Sequence, residues 1–162
     1  MTRDLSTSLE RLIQEELPSL ERVSDLHAGI RPGGDSTWSP KEEMGHLIDS
    51  ATNNHARFVR ALIEPEFHGP TYAQNDWVTA HGYQEMPWLT IVEFWYRYNN
   101  FIAALLARIP ENKLQTLCFV GSDKGVSLEF LVADYVLHMQ HHVDHILGRE
   151  RVTAYPAIAP DR

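Results

Sequence analysis

Four stretches of this chain repeat their apolar residues every three or four positions, and that period leaves little choice of fold. Leu5, Leu9, Leu12, Ile13, Leu17, Leu20 and Val23 predict a first helix near residues 4–26. Pro18 lies inside it and removes one backbone donor, so a kink is expected there. A second helix has a sharp start at Ser39-Pro40-Lys41-Glu42: serine can cap, proline suits the first helical position, and Glu42 completes a capping box. It should run to about Leu62, before Pro65. The third spans Leu89 to Ile109, with Val92, Trp95, Ile102, Leu105 and Leu106 as core candidates and Pro110 as its stop. The fourth spans Leu128 to Leu147, between Ser127 as cap and Gly148 as stop.

The connections are read by composition. "GIRPGGDSTW" is a loop, and Leu117–Val120 is a short extended piece. Residues 65–88 hold no long periodic element and are too many for a tight turn. They are expected to cross one end of a bundle, and long loops of that kind often carry function. The predicted architecture is an all-α four-helix bundle with a long crossover between helices two and three, filling one domain over residues 1–162.

Charge and composition narrow the function classes. A formal net charge of -8, with lysine and arginine scattered, argues against nucleic-acid binding, which needs a concentrated basic surface. The start, "MTRDLSTSLERLIQEEL", lacks the apolar core of a signal peptide. The most apolar stretch, "FIAALLARI", covers about half a bilayer and contains Arg108, so no membrane segment is expected. The single Cys118 can form no internal disulfide, which fits a reducing compartment and a cytoplasmic location.

Chemistry concentrates in the fourth helix, where "HMQHHVDH" (residues 138–145) places four of the nine histidines in eight positions. Two H-x-x-x-H pairs overlap, His138/His142 and His141/His145. At ~100° per residue, His138 and His142 fall on the line of Leu128, Leu131, Tyr135 and Ile146. His141 follows Asp134 and Leu137 on a more peripheral line, and His145 flanks the first. The buried pair is therefore His138/His142. Burying two imidazoles requires partners for four ring nitrogens, and one metal ion supplies two of them. Core histidines satisfied by hydrogen bonds are the bland alternative.

A third ligand must come from another helix, and His46 is the candidate. Met44, Leu47, Ile48, Ala51, Phe58 and Leu62 set the apolar stripe of the second helix, and His46 lies off its centre, beside Glu43, Ser50, Asn53 and Arg57. Periodicity makes that a solvent face unless it lines a polar cavity.

"WSPKEEMGHLIDSATNNHARFVRA" (Trp38–Ala61) and "DYVLHMQHHVDHI" (Asp134–Ile146) together resemble the DinB superfamily of YfiT-like metalloenzymes; "GPTYAQNDWV" and "PENKLQTLCFVG" add to the likeness. The resemblance implies a four-helix bundle with the long crossover, and a divalent metal held by His46, His138 and His142. Zinc or nickel is the leading ion, with iron next. Three imidazoles leave a coordination position open, as in catalytic rather than structural sites. The implied activity is thiol-dependent transfer, with a low-molecular-weight thiol such as bacillithiol or mycothiol attacking a small-molecule electrophile. Hydrolysis by metal-bound hydroxide is the alternative, and a non-enzymatic metal-binding or interaction module is a third reading. A homodimer is also implied.

Glu43 stands where that family more often has an aliphatic residue. It reads as an acceptor for an imidazole N–H or, more commonly for glutamates near helix starts, as an exposed side chain. Asp49 and Asp144 could orient ligands, yet read first as solvated carboxylates; His145 is a further weak candidate. Tyr72, Gln74, Asp76 and Trp77 of the crossover, with Asn54 and Arg57, are candidate pocket residues. Cys118 lies in an apolar segment outside both motifs and is a poor nucleophile candidate. A ferritin-like di-iron site fails because Tyr135 stands where the fourth helix would need the glutamate of its own E-x-x-H.

Overall fold

The computed structural model describes residues 2–149; residue 1 and residues 150–162 of the expected 1–162 domain lie outside the described residues. Its elements are α1 (Thr2–Glu21), α2 (Asp25–Ala28), α3 (Pro40–Ile63), β1 (Phe67–Gly69), α4 (Gln74–His81), α5 (Trp88–Leu106), β2 (Leu117–Val120), β3 (Val126–Ser127) and α6 (Leu128–Ile146). The long helices α1, α3, α5 and α6 form the bundle, packed in the cyclic order α1–α5–α3–α6. Leu9, Ile13, Leu20, Met44, Leu47, Phe58, Trp88, Trp95, Ile102 and Leu128 are fully buried between them. Their spacing along each helix is the 3.6-residue stripe that drives helices to pack side by side.

The expected first helix is divided. α1 stops at Glu21, and Ser24 caps α2 by accepting from the His27 N–H at 3.2 Å. The break has a tertiary partner: the Asp25 carboxylate accepts from the Trp88 N–H at 2.7 Å and pairs with Lys41 at 3.0 Å. It thereby satisfies a donor at the start of α5 that would otherwise lack one. α5 itself ends at Leu106, short of the expected Ile109.

α3 begins as its capping box requires. The Ser39 hydroxyl accepts from the Glu42 N–H, and the Glu42 side chain accepts from the Ser39 N–H at 2.9 Å. Arg31 from the preceding loop forks onto the same Glu42 carboxylate, holding it below the usual carboxylate range. The loop is thus tied down over the helix start, and Pro40 through Ala51 are buried all round. No amphipathic stripe survives in that segment.

The crossover contains the short helix α4, which packs on α3, and the strand β1. β1 pairs in parallel with β2, Phe67 opposite Cys118 and Gly69 opposite Val120; β2 pairs antiparallel with β3. Among the described residues this small three-stranded sheet stands beside the helices, and it ties the crossover to the α5–α6 connection. Beyond the sheet the crossover turns back at Gly82, whose φ of 64° lies in the left-handed region that glycine adopts without penalty. Among the described residues, no helix is long and apolar enough to cross a membrane.

Candidate metal centre

α3 and α6 are neighbours in the bundle, and their contact brings together His46, His138 and His142. One ligand atom from each lies within 4.8 Å of the others. His46 Nε2 and His138 Nε2 are 3.1 Å apart, and the His46 ring centroid is 4.8 Å from that of His142. His46 is 1% exposed and His138 6% exposed, while His142 is half-buried. The indole of Trp38, 4.9 Å from the His46 ring, covers the cluster on the side of the preceding loop.

Glu43 corrects the exposed reading. It is buried, one turn before His46, and its two oxygens accept separately from His142 Nδ1 (2.7 Å) and His145 Nδ1 (2.5 Å). An ionised carboxylate can only accept, so both imidazoles carry their proton on Nδ1. His142 is left with its Nε2 lone pair available for a cation. This is the carboxylate–histidine arrangement that orients metal ligands and raises their basicity.

The donor set fits a divalent ion. Two nitrogens each about 2.0–2.1 Å from one ion lie roughly 2.9–3.4 Å apart at octahedral to tetrahedral angles. The 3.1 Å between His46 and His138 falls in that range. Three neutral imidazoles suit zinc, nickel, iron or copper.

The cluster opens on a cavity of about 850 Å³. His138 forms part of its wall; Ser50, Asn54 and Arg57 line it from α3, and Phe130, Leu131, Asp134 and Tyr135 from α6. Tyr72, Gln74 and Asp76 line it from the crossover; Trp77 does not, and its ring packs on Tyr72 at 5.3 Å. Cys118 also reaches the cavity wall, where burial pushes its thiol up to about 11. At neutral pH it is a protonated, inert thiol.

Asp49 and Asp144 are not solvated. Asp49 is 1% exposed and accepts from the Tyr83 hydroxyl at 2.7 Å, with His81 Nδ1 at 3.1 Å. Burial raises its pKa despite those partners. It holds the crossover against α3. Tyr83 itself lies so close to the helix that a Cβ on Gly45 would sit within its ring. Asp144 is 3% exposed and is bonded by Gln140 at 2.9 Å, part of a cluster with Glu16 and Arg149 that joins α6 to α1. His145 reaches the site only through Glu43, and His141 is half-buried with its ring edge-on to His142 at 5.3 Å. Asp134 and Lys124 are cavity residues that periodicity did not single out; Asp134 stands one helical turn before His138, which is the signal that would have found it.

No family model matches the sequence. Among curated proteins, one named "Putative metal-dependent hydrolase" from Halalkalibacterium halodurans is 24% identical over 112 residues, 69% of this chain. The chain spans 65% of the length of that relative. Among solved structures, YfiT from Bacillus subtilis, described as "a probable metal-dependent hydrolase with an unusual four-helix bundle topology", superposes with a TM-score of 0.78. The match covers 91% of this chain and 84% of YfiT at 20% identity, so the likeness is one of fold. The chain thus has the four-helix-bundle fold of YfiT.

Proposed function

We propose that the chain is a metal-dependent enzyme whose divalent ion is held by His46, His138 and His142. The observation that carries this reading is the convergence of three imidazoles from two helices, with Glu43 fixing the tautomer of His142. Such an ion supplies Lewis acidity, which lowers the pKa of water or of a thiol enough to yield a nucleophile near neutral pH. The chain's own residues do the rest: Glu43 orients, Trp38 excludes water from one side, and the cavity beside His138 receives the substrate.

Hydrolysis is the leading reaction, because the similar curated protein is named "Putative metal-dependent hydrolase" and YfiT is described as "a probable metal-dependent hydrolase". Thiol transfer, the activity implied by the motif resemblance, remains the second reading. A cavity of about 850 Å³ falls near the top of the range for small-molecule sites and has room for a thiol cosubstrate beside its electrophile.

Metal analysis of the purified protein tests the site. Wild type and His141→Ala are expected to hold about one ion per chain, and His46→Ala, His138→Ala and His142→Ala to lose it. Loss in His141→Ala alone would overturn the ligand assignment. Assays of simple esters and amides, then of an electrophile with a panel of small thiols, separate the reactions. Metal-dependent turnover in neither would leave a binding module.

A further inference from the structure

The cavity carries one cation whose position is unexplained by packing. Arg57 lies on the same side of α3 as His46, Ser50 and Asn54, and its side chain lines the cavity. Its guanidinium donates to Asn54 Oδ1 at 3.3 Å and to the Pro70 carbonyl at 3.2 Å, both neutral acceptors. Among the described residues it makes no ion pair with a carboxylate. The other arginines with a role in the fold are neutralised: Arg31 by Glu42, Arg60 by Glu64, Arg149 by Glu16. Partial burial disfavours the charge of Arg57, pulling its pKa down. A desolvated guanidinium held open by neutral oxygens retains donors that match a planar or tetrahedral oxyanion. Lys124, on the loop between β2 and β3, adds a second positive group to the same lining. The acidic lining residues, Asp76 and Asp134, sit on other elements, α4 and α6.

The helix sets a length. Arg57 follows His46 by eleven residues, which at 1.5 Å per residue is about 16 Å along α3. Both side chains lean toward the N-terminus, so the offset largely cancels and the span between guanidinium and imidazole stays on the order of 15 Å. Val120, Val126, Phe130 and Leu131 supply apolar wall in that cavity.

We propose that Arg57 anchors the substrate by an oxyanion at one end, and that the substrate is an elongated small molecule. Its middle is apolar, and its reacting group lies at the His138 end. Only this last element rests on the functional reading above; the anion site stands on the cavity and the unneutralised arginine.

Binding of three probes that share a phenethyl body tests it by calorimetry: 3-phenylpropanoate, phenethyl phosphate, and the neutral 3-phenylpropanamide, which is isosteric with the first. The full-length protein is measured as purified and after chelator treatment, so that direct binding of an anion to metal is separated from binding at Arg57. At least one anion is expected to bind ~10-fold more tightly than the amide in both forms. Preference between the two anions identifies carboxylate or phosphate as the natural group. Arg57→Met should abolish the preference, Arg57→Lys should keep part of it, and Arg97→Met on the outer face of α5 should change nothing. Circular dichroism confirms that each variant is folded. Equal affinity for anion and amide, or a preference that survives in folded Arg57→Met, overturns the proposal. His46→Ala separates the two readings: it should lose metal yet keep the anion preference.

Discussion

Removing the acceptor capacity of Glu43 gives the sharpest test of how the histidine cluster is organised. The carboxylate is 5% exposed and each oxygen receives a different imidazole, His142 at 2.7 Å and His145 at 2.5 Å. Glu43→Gln keeps the shape but replaces one acceptor by an NH2 donor. One histidine must then offer its Nδ1 lone pair and move its proton to Nε2. If His142 makes the change, the atom needed for the metal is blocked. If His145 makes it, His142 keeps its hydrogen bond but to a neutral amide, which is about half as strong as one to a carboxylate. Outer partners of metal-bound histidines are worth about 10–100-fold in metal affinity, or about 1.4–2.7 kcal/mol. Glu43→Gln is expected near the lower bound and Glu43→Ala, which leaves His142 Nδ1 with no acceptor there, near the upper. His145→Ala should cost less than either, because its ring is 42% exposed and touches the site only through Glu43. Competition titration of zinc against a chromophoric chelator measures all three, with thermal melts of the metal-free proteins as controls. Wild-type affinity in both Glu43 variants, alongside lost affinity in His142→Ala, would refute the orienting role.

Asp49→Asn should stabilise the fold at neutral pH while retaining an oxygen for the Tyr83 hydroxyl. Burial raises the Asp49 pKa, so between the unfolded value of 3.8 and the folded value the native state binds the extra proton, and stability falls as pH rises through that window. Melting temperatures of variant and wild type should diverge as pH rises from about 4, and parallel curves would contradict the assignment. Cys118→Ala should retain metal and turnover, since the thiol, raised to about 11 by burial, is protonated at neutral pH. Alkylation by iodoacetamide should be slow in the folded protein and fast in denaturant. Rapid native labelling would mean the thiol is not the buried group described.

The extent to which the site could be read in advance depended on what surrounds each residue. His138 and His142 sit on a helix with one buried face, so a 3.6-residue count placed them inward with no structural knowledge. His46 and Glu43 defeated the same count. Their segment of α3 is covered by the Arg31–Trp38 loop on one side and by Tyr83 on another, in addition to the bundle. A polar residue there looks solvated to any argument based on a single apolar stripe. Asp49 and Asp144 were misread for the same reason: each carboxylate is buried by elements distant in sequence, the crossover for one and α1 for the other.

Local chemistry alone thus determined the long helices of the bundle, the caps at Ser39 and Ser127 and the inward placing of His138. These depend on neighbours within a turn or two, where spacing and hydrogen-bonding capacity act directly. The tertiary structure decided the pairing of β1 with β2, the burial of Glu43 between two imidazoles, the meeting of His46 with His138, and the placing of His138 and Arg57 around one cavity. Those arrangements join residues 51 to 102 positions apart along the chain. What brings them together is the packing of α3 against α6 and the return of the crossover over both, and no local period encodes that.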